Sequence, residues 1–366
     1  MTDQHERQNL KAVVLSGGSG TRLRPLTYSV PKQLIPVGDR PVLGHVLADV
    51  VACGIEEAII VTSPESHEAV SQMVQRHDYG LDYSIVVQEQ PNGLAAAYGL
   101  AIPYIGGSSS LLYLGDCLLT GGASHLVEQH VATGADATIM VTDVDDPSRY
   151  GIVELDEAGN VVALVEKPRI PRSNLAIVGV YAFQPTITES IRAIAPSARG
   201  EYEITDALQH LVDEGGTVRS APLNGWWVDT GTVADVLAAN ARLLAELHDS
   251  RSGEVVDSEL IGTVVLGERA EVQASTIVGP VCISEGAVIR NSRIGPSCHV
   301  GPGAIVEDVH MANSIVMEDT ILRSLRIRES IVGPRSTLLG NGTLQDEIEV
   351  LVGSDSSVRA ASSHHG

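Results

Sequence analysis

The sequence predicts an α/β fold with a mostly parallel sheet, followed by a parallel β-helix of hexapeptide repeats. From Leu10 to about Asp249, short apolar runs alternate with helical stretches. Such alternation is typical of a mostly parallel sheet covered on both faces. From Leu260 to Leu339, apolar residues recur every six positions, with glycines at the turns. Six residues is the period of a hexapeptide β-helix, and the alternative is a β-rich sandwich with chance spacing.

The first region alternates predicted strands with predicted helices. The strands are expected at Ala12–Leu15, Ala58–Val61, Tyr83–Val87, Leu111–Leu114, Ala137–Val141 and Ala176–Phe183. The helices are expected at Pro41–Cys53, Glu65–His77, Leu94–Ala101 and Ala123–Thr133. In such sheets ligands bind at the carboxyl ends of the strands. A glycine-rich loop directly follows the first of these strands, so a ligand site is expected there.

The second region is recognised by apolar residues that keep step with one another. They run Leu260, Leu266, Val272, Val278, with a second set Ile277, Ile283, Ile289, then after a one-residue slip Ile294, Val300, Val306, and later Val309, Ile315, Ile321, Ile327. A helix at Val233–His248 and a polar linker at 249–257 precede this region. We therefore predict a first domain over 1–249, a β-helix domain over 250–353 and a disordered tail over 354–366.

Composition and charge narrow the function classes. The chain has 366 residues, enough for two domains, and carries 24 basic against 46 acidic residues for a net charge of −22. This balance argues against nucleic acid and anionic membrane surfaces as partners. The 4 cysteines form no C-x-x-C pair. With no signal peptide and no apolar run of transmembrane length, a reduced, cytoplasmic protein is expected.

The loop after the first strand favours a phosphate ligand. Gly17, Gly18 and Gly20 would let main-chain N–H groups approach an anion, and Arg22 and Lys32 add positive charge nearby. The loop matches neither the P-loop pattern nor the dinucleotide-binding G-x-G-x-x-G. On the glycines alone, a tight turn is an equally good interpretation.

Two acids beside glycines are candidate metal ligands. Asp116 follows a strand in Leu-Gly-Asp, and Asp229 precedes a glycine in Trp-Trp-Val-Asp-Thr-Gly. Mg²⁺ takes one or two carboxylates together with substrate phosphates. The alternative is structural, with Asp229 capping the next helix and Asp116 closing a turn.

The motif G-G-x-G-T-R-L-x-P-L-T with the downstream P-K-Q-L-x-P-V resembles the signature of the sugar-nucleotide pyrophosphorylases. The Lys-Gln pair looks most like the glucose-1-phosphate thymidylyltransferases, and the likeness runs from about Leu10 to Gly340. It implies a Rossmann-like nucleotidyltransferase domain with a mixed, mostly parallel sheet, and a left-handed β-helix as in the long forms, which act in deoxysugar pathways for antibiotics and surface glycans. Flat β-helix faces usually associate, so a homo-oligomer is expected.

The resemblance also implies roles for individual residues. It places Arg22, Lys32, Lys167 and Arg199 on the reacting phosphates, and a catalytic Mg²⁺ on Asp116 and Asp229. The nucleotide would contact Leu15, Gly17, Gly18, Gly20, Thr21, Gln90, Gly93, Leu94 and Asp116. The sugar would contact Tyr150, Gly151, Glu166, Lys167, Ile177, Tyr181 and Trp227. Two alternatives are purely structural. Glu166 and Lys167 could form a solvated surface pair, and 88–95 could be a plain strand-to-helix loop.

The expected reaction joins glucose 1-phosphate to dTTP and releases pyrophosphate. Alternatives are the same reaction with another sugar 1-phosphate or nucleoside triphosphate, or a non-catalytic regulatory homologue. Two departures from the family pattern bear on specificity, Val228 before the second acid and the Ala-rich run after Leu94. An acetyltransferase role for the β-helix is disfavoured, because no catalytic histidine is evident and we expect His299 and His310 on the surface.

Overall fold

The computed structural model describes residues 10–341 and 346–360, and the chain divides into two compact units. The first unit comprises 10–18 and 43–228, and the second comprises 19–42 with 229–341 and 346–360. This division differs from the boundary that we predict at residue 249. The glycine-rich segment from 19 onward and the helix after Asp229 both cluster with the C-terminal repeats.

The chain from residue 10 to residue 246 contains seven helices in the described residues and thirteen strands. The helices are α1 (Val42–Ala52), α2 (Pro64–Arg76), α3 (Leu94–Ile105), α4 (Ser124–Thr133), α5 (Ile187–Ala193), α6 (Ile204–Asp213) and α7 (Val233–Glu246). The strands are β1 (Leu10–Ser16), β2 (Pro36–Val37), β3 (Arg40–Pro41), β4 (Glu57–Thr62), β5 (Asp82–Val87), β6 (Ser109–Leu114), β7 (Cys117–Leu119), β8 (Ala137–Asp143), β9 (Gly151–Leu155), β10 (Val161–Glu166), β11 (Leu175–Phe183), β12 (Val218–Pro222) and β13 (Trp227–Asp229).

The first unit is built on a mixed sheet in the order β10-β9-β11-β6-β1-β4-β5, with β8 beside β11 and β12 beside β8. Strands β6, β1, β4 and β5 are parallel, and β11 runs antiparallel to β6. Helices join the parallel strands, so the carboxyl ends of β1 and β6 lie at one edge of the sheet. The predicted strands and helices of this region are present, with their ends displaced by a few residues.

The second unit begins with a segment that has almost no regular structure but buries most of its larger aliphatic side chains. Residues 19–42 contain three short 3-10 turns and the hairpin β2–β3. Leu23, Leu26, Ile35 and Val37 are all fully buried. Helix α7 begins at Thr232, whose side chain accepts a hydrogen bond from the Asp235 N–H while the Asp235 carboxylate accepts from Thr232 in return. This reciprocal capping box fixes the start of the helix.

The C-terminal repeats form the predicted parallel β-helix. Its strands are β14 (Ser250–Arg251), β15 (Glu254–Val256), β16 (Glu259–Ile261), β17 (Val264–Leu266), β18 (Glu271–Gln273), β19 (Thr276–Val278), β20 (Val281–Ile283), β21 (Val288–Arg290), β22 (Arg293–Ile294), β23 (Cys298–Val300), β24 (Ile305–Ala312), β25 (Ser314–Val316), β26 (Ile321–Arg328), β27 (Ile331–Val332), β28 (Thr337–Leu339), β29 (Leu351–Val352) and β30 (Ser357–Arg359). Each strand pairs in parallel with the strand one coil later, as in β17–β20–β23–β25.

The interior of the β-helix corrects part of the predicted repeat. Val264 pairs with Val281 and Val281 with Cys298, whereas Cys298 pairs with Ser314. A coil is therefore 17 and later 16 residues long, shorter than three hexapeptides, so a strict count of six drifts. The interior cluster consequently contains Val316 and Leu322, and the predicted Val278, Ile315 and Ile321 lie outside it.

Strand β30 pairs with β28 and continues the ladder as far as Arg359. It lies within the stretch that we predict as a disordered tail, and residues 361–366 of that stretch are outside the described residues. Within the described part of the chain, every helix is too short or too polar to cross a membrane.

Candidate active site

The first unit places the start of the glycine-rich loop beside Asp116. The Gly115 N–H donates to the Leu15 carbonyl at 2.9 Å, so the chain leaving β6 touches the end of β1. A Cβ on Gly115 would lie 2.9 Å from that same oxygen, which leaves room for glycine only. A Cβ on Gly17 would lie 3.5 Å from the Ser63 nitrogen. Leu15, Gly17 and Asp116, with the exposed Gly18, therefore gather at the expected sheet edge.

The predicted base-recognition segment is held by backbone contacts. Gly93 begins α3 with a φ of 112°, and a Cβ there would collide with the backbone of Tyr202. The Tyr202 N–H donates to Asn92 O at 2.8 Å, and Ala95 N–H donates to Tyr202 O at 3.0 Å. The segment is thus a strand-to-helix loop, as in the structural alternative, and its backbone conformation is fixed by these contacts. Gln90 is exposed, and Leu94 is half-buried behind the loop.

The predicted sugar pocket is assembled around Glu166. Gly151 pairs with Glu166 across β9 and β10, and a Cβ on Gly151 would lie 3.1 Å from Glu166 Oε2 and 3.3 Å from Ile177 Cδ1. The Thr205 hydroxyl donates to Glu166 Oε2 at 3.4 Å. Only glycine fits at 151, and its missing side chain leaves backbone and carboxylate facing one another.

Cations surround the same carboxylate, so Glu166 and Lys167 are not an isolated surface pair. Lys167 Nζ and Arg199 Nη1 each lie 3.5 Å from Glu166 Oε1. Arg199 also reaches Glu201 at 2.8 Å and Glu203 at 3.7 Å. Burial raises the pKa of Glu203, which the Ser197 hydroxyl bond and Arg199 partly offset. Two cations are thus oriented by several carboxylates, and an arriving dianionic phosphate can replace those contacts.

The aromatic residues of the predicted pocket lie in the same unit. Tyr150 packs edge-on against Trp227 with ring centroids 5.1 Å apart, and the Trp227 Nε1–H is buried without a hydrogen-bond partner in the described structure. Tyr181 is buried, and its pKa is raised strongly. Burial is the larger cause and the nearby negative charge of Glu166 is the smaller one. Tyr181 therefore stays a neutral phenol, and the indole N–H of Trp227 is a buried donor that the described residues leave open.

In the second unit the motif predicted to bind the triphosphate folds back on itself. Gly20 has a φ of 56°, and a Cβ there would lie 2.9 Å from Thr27 Cγ2 and 3.2 Å from Lys32 Cβ. The Thr27 hydroxyl donates to the Gly20 carbonyl at 2.8 Å. Thr21 and Arg22 are exposed, whereas Lys32 is buried to 7% exposure. The fold thus brings the glycine loop and the Pro-Lys-Gln element together.

Asp229 does not cap α7, since Thr232 and Asp235 form that cap. Its Oδ1 is buried and accepts no hydrogen bond from the described residues. A Cβ on Gly231 would collide with this oxygen and would lie 2.9 Å from Arg22 Nη2. Asp229 and Arg22 therefore flank one glycine. Asp229 belongs to the second unit and Asp116 to the first.

Some polar residues of these motifs were not assigned roles from the sequence. Ser16 Oγ and Gln33 Oε1 are buried without hydrogen-bond partners in the described part of the chain. Thr205 contacts Glu166, and Glu203 is almost fully buried beside Arg199. Ser16, Gln33, Glu203 and Thr205 all lie within the motifs that carry the resemblance, so proximity to those motifs was the available signal.

A family model described as nucleotidyl transferase matches residues 11–246. The chain is 44% identical over 263 residues to a glucose-1-phosphate thymidylyltransferase of Streptomyces antibioticus, covering 71% of this chain and 74% of the relative. It is 42% identical over 329 residues to a low-salt glycan biosynthesis nucleotidyltransferase of Haloferax volcanii, covering 88% of this chain and 92% of the relative. The second likeness therefore includes most of the C-terminal repeats.

A solved structure resembles about two thirds of the chain. It is described as a glucose-1-phosphate thymidylyltransferase from Bacillus anthracis in complex with sucrose. The TM-score is 0.61 at 30% sequence identity, over 66% of this chain and 98% of that chain. Sequence and structure comparisons thus agree on one family.

Proposed function

The chain belongs to the nucleotidyl transferase family, and from this premise we propose that it joins glucose 1-phosphate to dTTP, giving dTDP-glucose and pyrophosphate. Relatives at 42–44% identity with nucleotidyltransferase names support the reaction class. Beyond likeness, one observation carries the proposal. Asp229 has a buried oxygen to which no group of the described residues donates, although the neighbouring helix cap is complete without it. A buried acceptor left open beside Arg22 takes a partner from outside the chain, and a metal ion that also binds the substrate phosphates would be such a partner.

The reaction needs alignment and charge neutralisation rather than a covalent nucleophile. An oxygen of the sugar phosphate, mostly dianionic because its second pKa is about 6, forms a bond to the α-phosphorus of the triphosphate. The bond from that phosphorus to the bridging oxygen of the β-phosphate breaks, and pyrophosphate leaves with the electron pair. The two reactants repel, so the protein must hold both with cations.

We assign the cations by their surroundings. Lys167 and Arg199, clustered on Glu166, are proposed to bind the phosphate of the sugar, whose hydroxyls would donate to Glu166 and the backbone at Gly151. Arg22 and Lys32 are proposed to bind the triphosphate.

The donor set fits a magnesium ion. In the described residues no group of three or more His, Cys, Asp and Glu side chains is placed to hold a metal, so an ion bound there would need further ligands from water or substrate. Mg²⁺ typically takes one or two carboxylates and completes its shell with water and substrate phosphates. We propose Asp229, with its open oxygen, as one of these ligands, and the family resemblance implies Asp116 as another. When bound, the ion would neutralise phosphate charge as the leaving group departs.

The test is pyrophosphate release from a panel of nucleoside triphosphates crossed with sugar 1-phosphates, with and without EDTA. The proposal predicts the fastest release for dTTP with glucose 1-phosphate, abolished by EDTA and restored by Mg²⁺. A faster rate with another pair would replace the substrates and keep the reaction class. Absence of release from every pair would overturn the enzymatic proposal in favour of a regulatory homologue.

A further inference from the structure

His299 is a buried residue on the β-helix, contrary to the surface position that the sequence suggests. It is 3% exposed, and its Nδ1 lies 2.9 Å from the carbonyl oxygen of Gly38. Since a carbonyl only accepts, the imidazole donates from Nδ1. Burial lowers the pKa of His299, although its bond to Gly38 and the charge of Asp39 partly oppose this. The ring is therefore a neutral donor near pH 7.

The face of the β-helix that carries His299 is covered rather than solvated. Side chains alternate between the two faces of a strand, so the interior residues Cys298 and Val300 leave His299 pointing outward. The residues in register with it on neighbouring coils are Cys282, Ile315 and Ile331, which are all buried although none belongs to the interior cluster. Apart from His299, this outward-facing column of side chains is apolar, and His299 is the buried polar residue in it.

Helix α7 and the segment that carries the triphosphate motif lie near this face. Helix α7 contacts both β2 and β23. At a later coil, the Ser354 N–H donates to Ser29 Oγ at 2.9 Å. The charge of Asp39 also acts on Cys282. The apolar column therefore packs against protein of its own unit.

The peptide groups of Gly38 are held from two directions. Its N–H donates to Asn240 Oδ1 at 2.9 Å, in addition to the bond from His299 to its carbonyl. Asn240 is fully buried on α7, and its Nδ2–H donates to Ser297 O at 3.2 Å. A loop carbonyl, a helix amide and a β-helix imidazole thus form one closed network, in which each buried donor or acceptor would be costly to leave unpaired.

This network lies close in sequence to Lys32 and Asp229, two of the second-unit residues of the proposed chemistry. Lys32 is joined to Gly38 by a buried run that includes Gln33, Ile35 and Val37. Asn240 is on the helix whose cap follows Asp229 by three residues. A shift at Gly38 would therefore move Lys32 with respect to Asp229 inside the second unit.

We propose that Asn240 and His299 are positioning residues, through which the β-helix fixes the placement of Lys32 relative to Asp229 for triphosphate binding. The proposal rests on the proposed function, since it assigns these two residues to the nucleotide. Its distinguishing consequence is selective: loss of the network weakens dTTP binding and leaves the Michaelis constant for glucose 1-phosphate unchanged. A purely structural role would lower stability without this selectivity.

The experiment compares His299→Leu with His299→Asn, which keeps a side-chain N–H near the position of Nδ1. The matched control is Ile315→Val, a conservative change in the same buried outward column. We would measure dTTP binding with Mg²⁺ by titration calorimetry, both Michaelis constants, and thermal unfolding. We expect dTTP binding about tenfold weaker in His299→Leu, largely restored in His299→Asn, and within twofold of wild type in Ile315→Val.

Unchanged dTTP binding in His299→Leu, or equal weakening in Ile315→Val, would overturn the positioning role. If His299→Leu does not fold, Asn240→Asp takes its place. That variant keeps the acceptor for the Gly38 N–H but loses the donor to Ser297, so we expect weaker dTTP binding, and wild-type binding would contradict the proposal. Failure of the wild type itself to bind dTTP would instead reject the proposed nucleotide.

Discussion

The two units hold their candidate site residues by different means. In the first unit, Glu166 at the end of β10 is surrounded by Lys167, by Arg199 from a loop and by the Thr205 hydroxyl of α6, all at 3.4–3.5 Å. In the second unit, the segment that carries Lys32 has little regular structure and is held by neutral, buried hydrogen bonds at Gly38, one of which spans 261 residues. The first set is thus held by ion pairs around the end of one strand, whereas the irregular segment of the second unit is held by uncharged hydrogen bonds to much more distant parts of the chain.

The largest expected effect is on Asp229. Asp229→Asn should lower kcat by about 10²–10⁴-fold, since a carboxylate that helps to hold a catalytic metal contributes several kcal/mol. Activity should also need more Mg²⁺ for half-saturation. Steady-state pyrophosphate release across a magnesium series measures both.

Asp235→Asn is the matched control for Asp229, because Asp235 is a nearby acid of the same unit whose carboxylate forms the cap of α7. It should cost about 1 kcal/mol of unfolding free energy while magnesium dependence stays unchanged. Full activity in Asp229→Asn would contradict the metal role.

In the first unit, the sharpest test of backbone packing is Gly93→Ala. The new Cβ would collide with the Tyr202 backbone in addition to about 1–3 kcal/mol of strain from the positive φ. We expect a raised Michaelis constant for dTTP and a clear loss in urea-unfolding free energy.

Gly80→Ala separates strain from collision. Gly80 also has a positive φ of 72°, but no atom lies within 4 Å of its Cβ position. It should show strain alone, with dTTP kinetics unaltered. If both alanine variants lost the same unfolding free energy, the collision with Tyr202 would not contribute to the loss in Gly93→Ala.

Each unit also contains a buried histidine, and burial of these two side chains predicts that the folded state loses stability at acid pH. Burial lowers the pKa of His130 to about 4, and the pKa of His299 also falls. A base whose pKa is lower in the folded state binds fewer protons there, so stability is complete above pH 6.5 and declines as the pH falls towards 4. His130 alone should cost on the order of 2 kcal/mol between pH 7.5 and pH 5.

The measurement for His130 is the unfolding free energy against pH for wild type and His130→Gln. The variant should show a shallower decline below pH 6.5, by up to one proton. His310→Gln, at an exposed histidine of the β-helix, is the control and should follow the wild-type curve. Parallel curves for wild type and His130→Gln would refute the assignment.

The smallest expected effect is on the surface of the β-helix. Arg335 and Asp355 form a two-bond ion pair at 2.9 Å, but both side chains are exposed. Arg335→Ala should leave the thermal midpoint unchanged within error at 150 mM salt, because screened surface pairs contribute little. A clear drop in the thermal midpoint would mean that this exposed ion pair stabilises the β-helix more than a screened surface pair should.

Periodicity predicted much of the fold, because it reports which face of each element is buried. The strands from Ala12 to Phe183, the first helices and the β-helix were all predicted from it. The one-residue drift at Ile315 and Ile321 escaped it, since coil length depends on corner geometry rather than on a count of six. The residues of the site were predicted from motifs and a family resemblance, and their roles stay predictions.

The grouping of residues 19–42 with the repeats could not be predicted from local pattern. The grouping results from packing between segments more than 200 residues apart. Such long-range packing adds no periodic pattern to the sequence of either segment. His299 shows why. An outward position on a β-helix is normally solvated, and only the apolar neighbours Cys282, Ile315 and Ile331 in register with it could have indicated a covered face.

Equilibrium binding of dTTP alone, with Mg²⁺ and without sugar phosphate, tests the difference between the two regions most directly. Lys32→Met removes the proposed triphosphate cation of the second unit, and Glu166→Gln alters the proposed sugar pocket of the first. The account predicts dTTP binding at least tenfold weaker in Lys32→Met and equal to wild type in Glu166→Gln. Equal weakening in both variants, or wild-type binding in Lys32→Met, would contradict it.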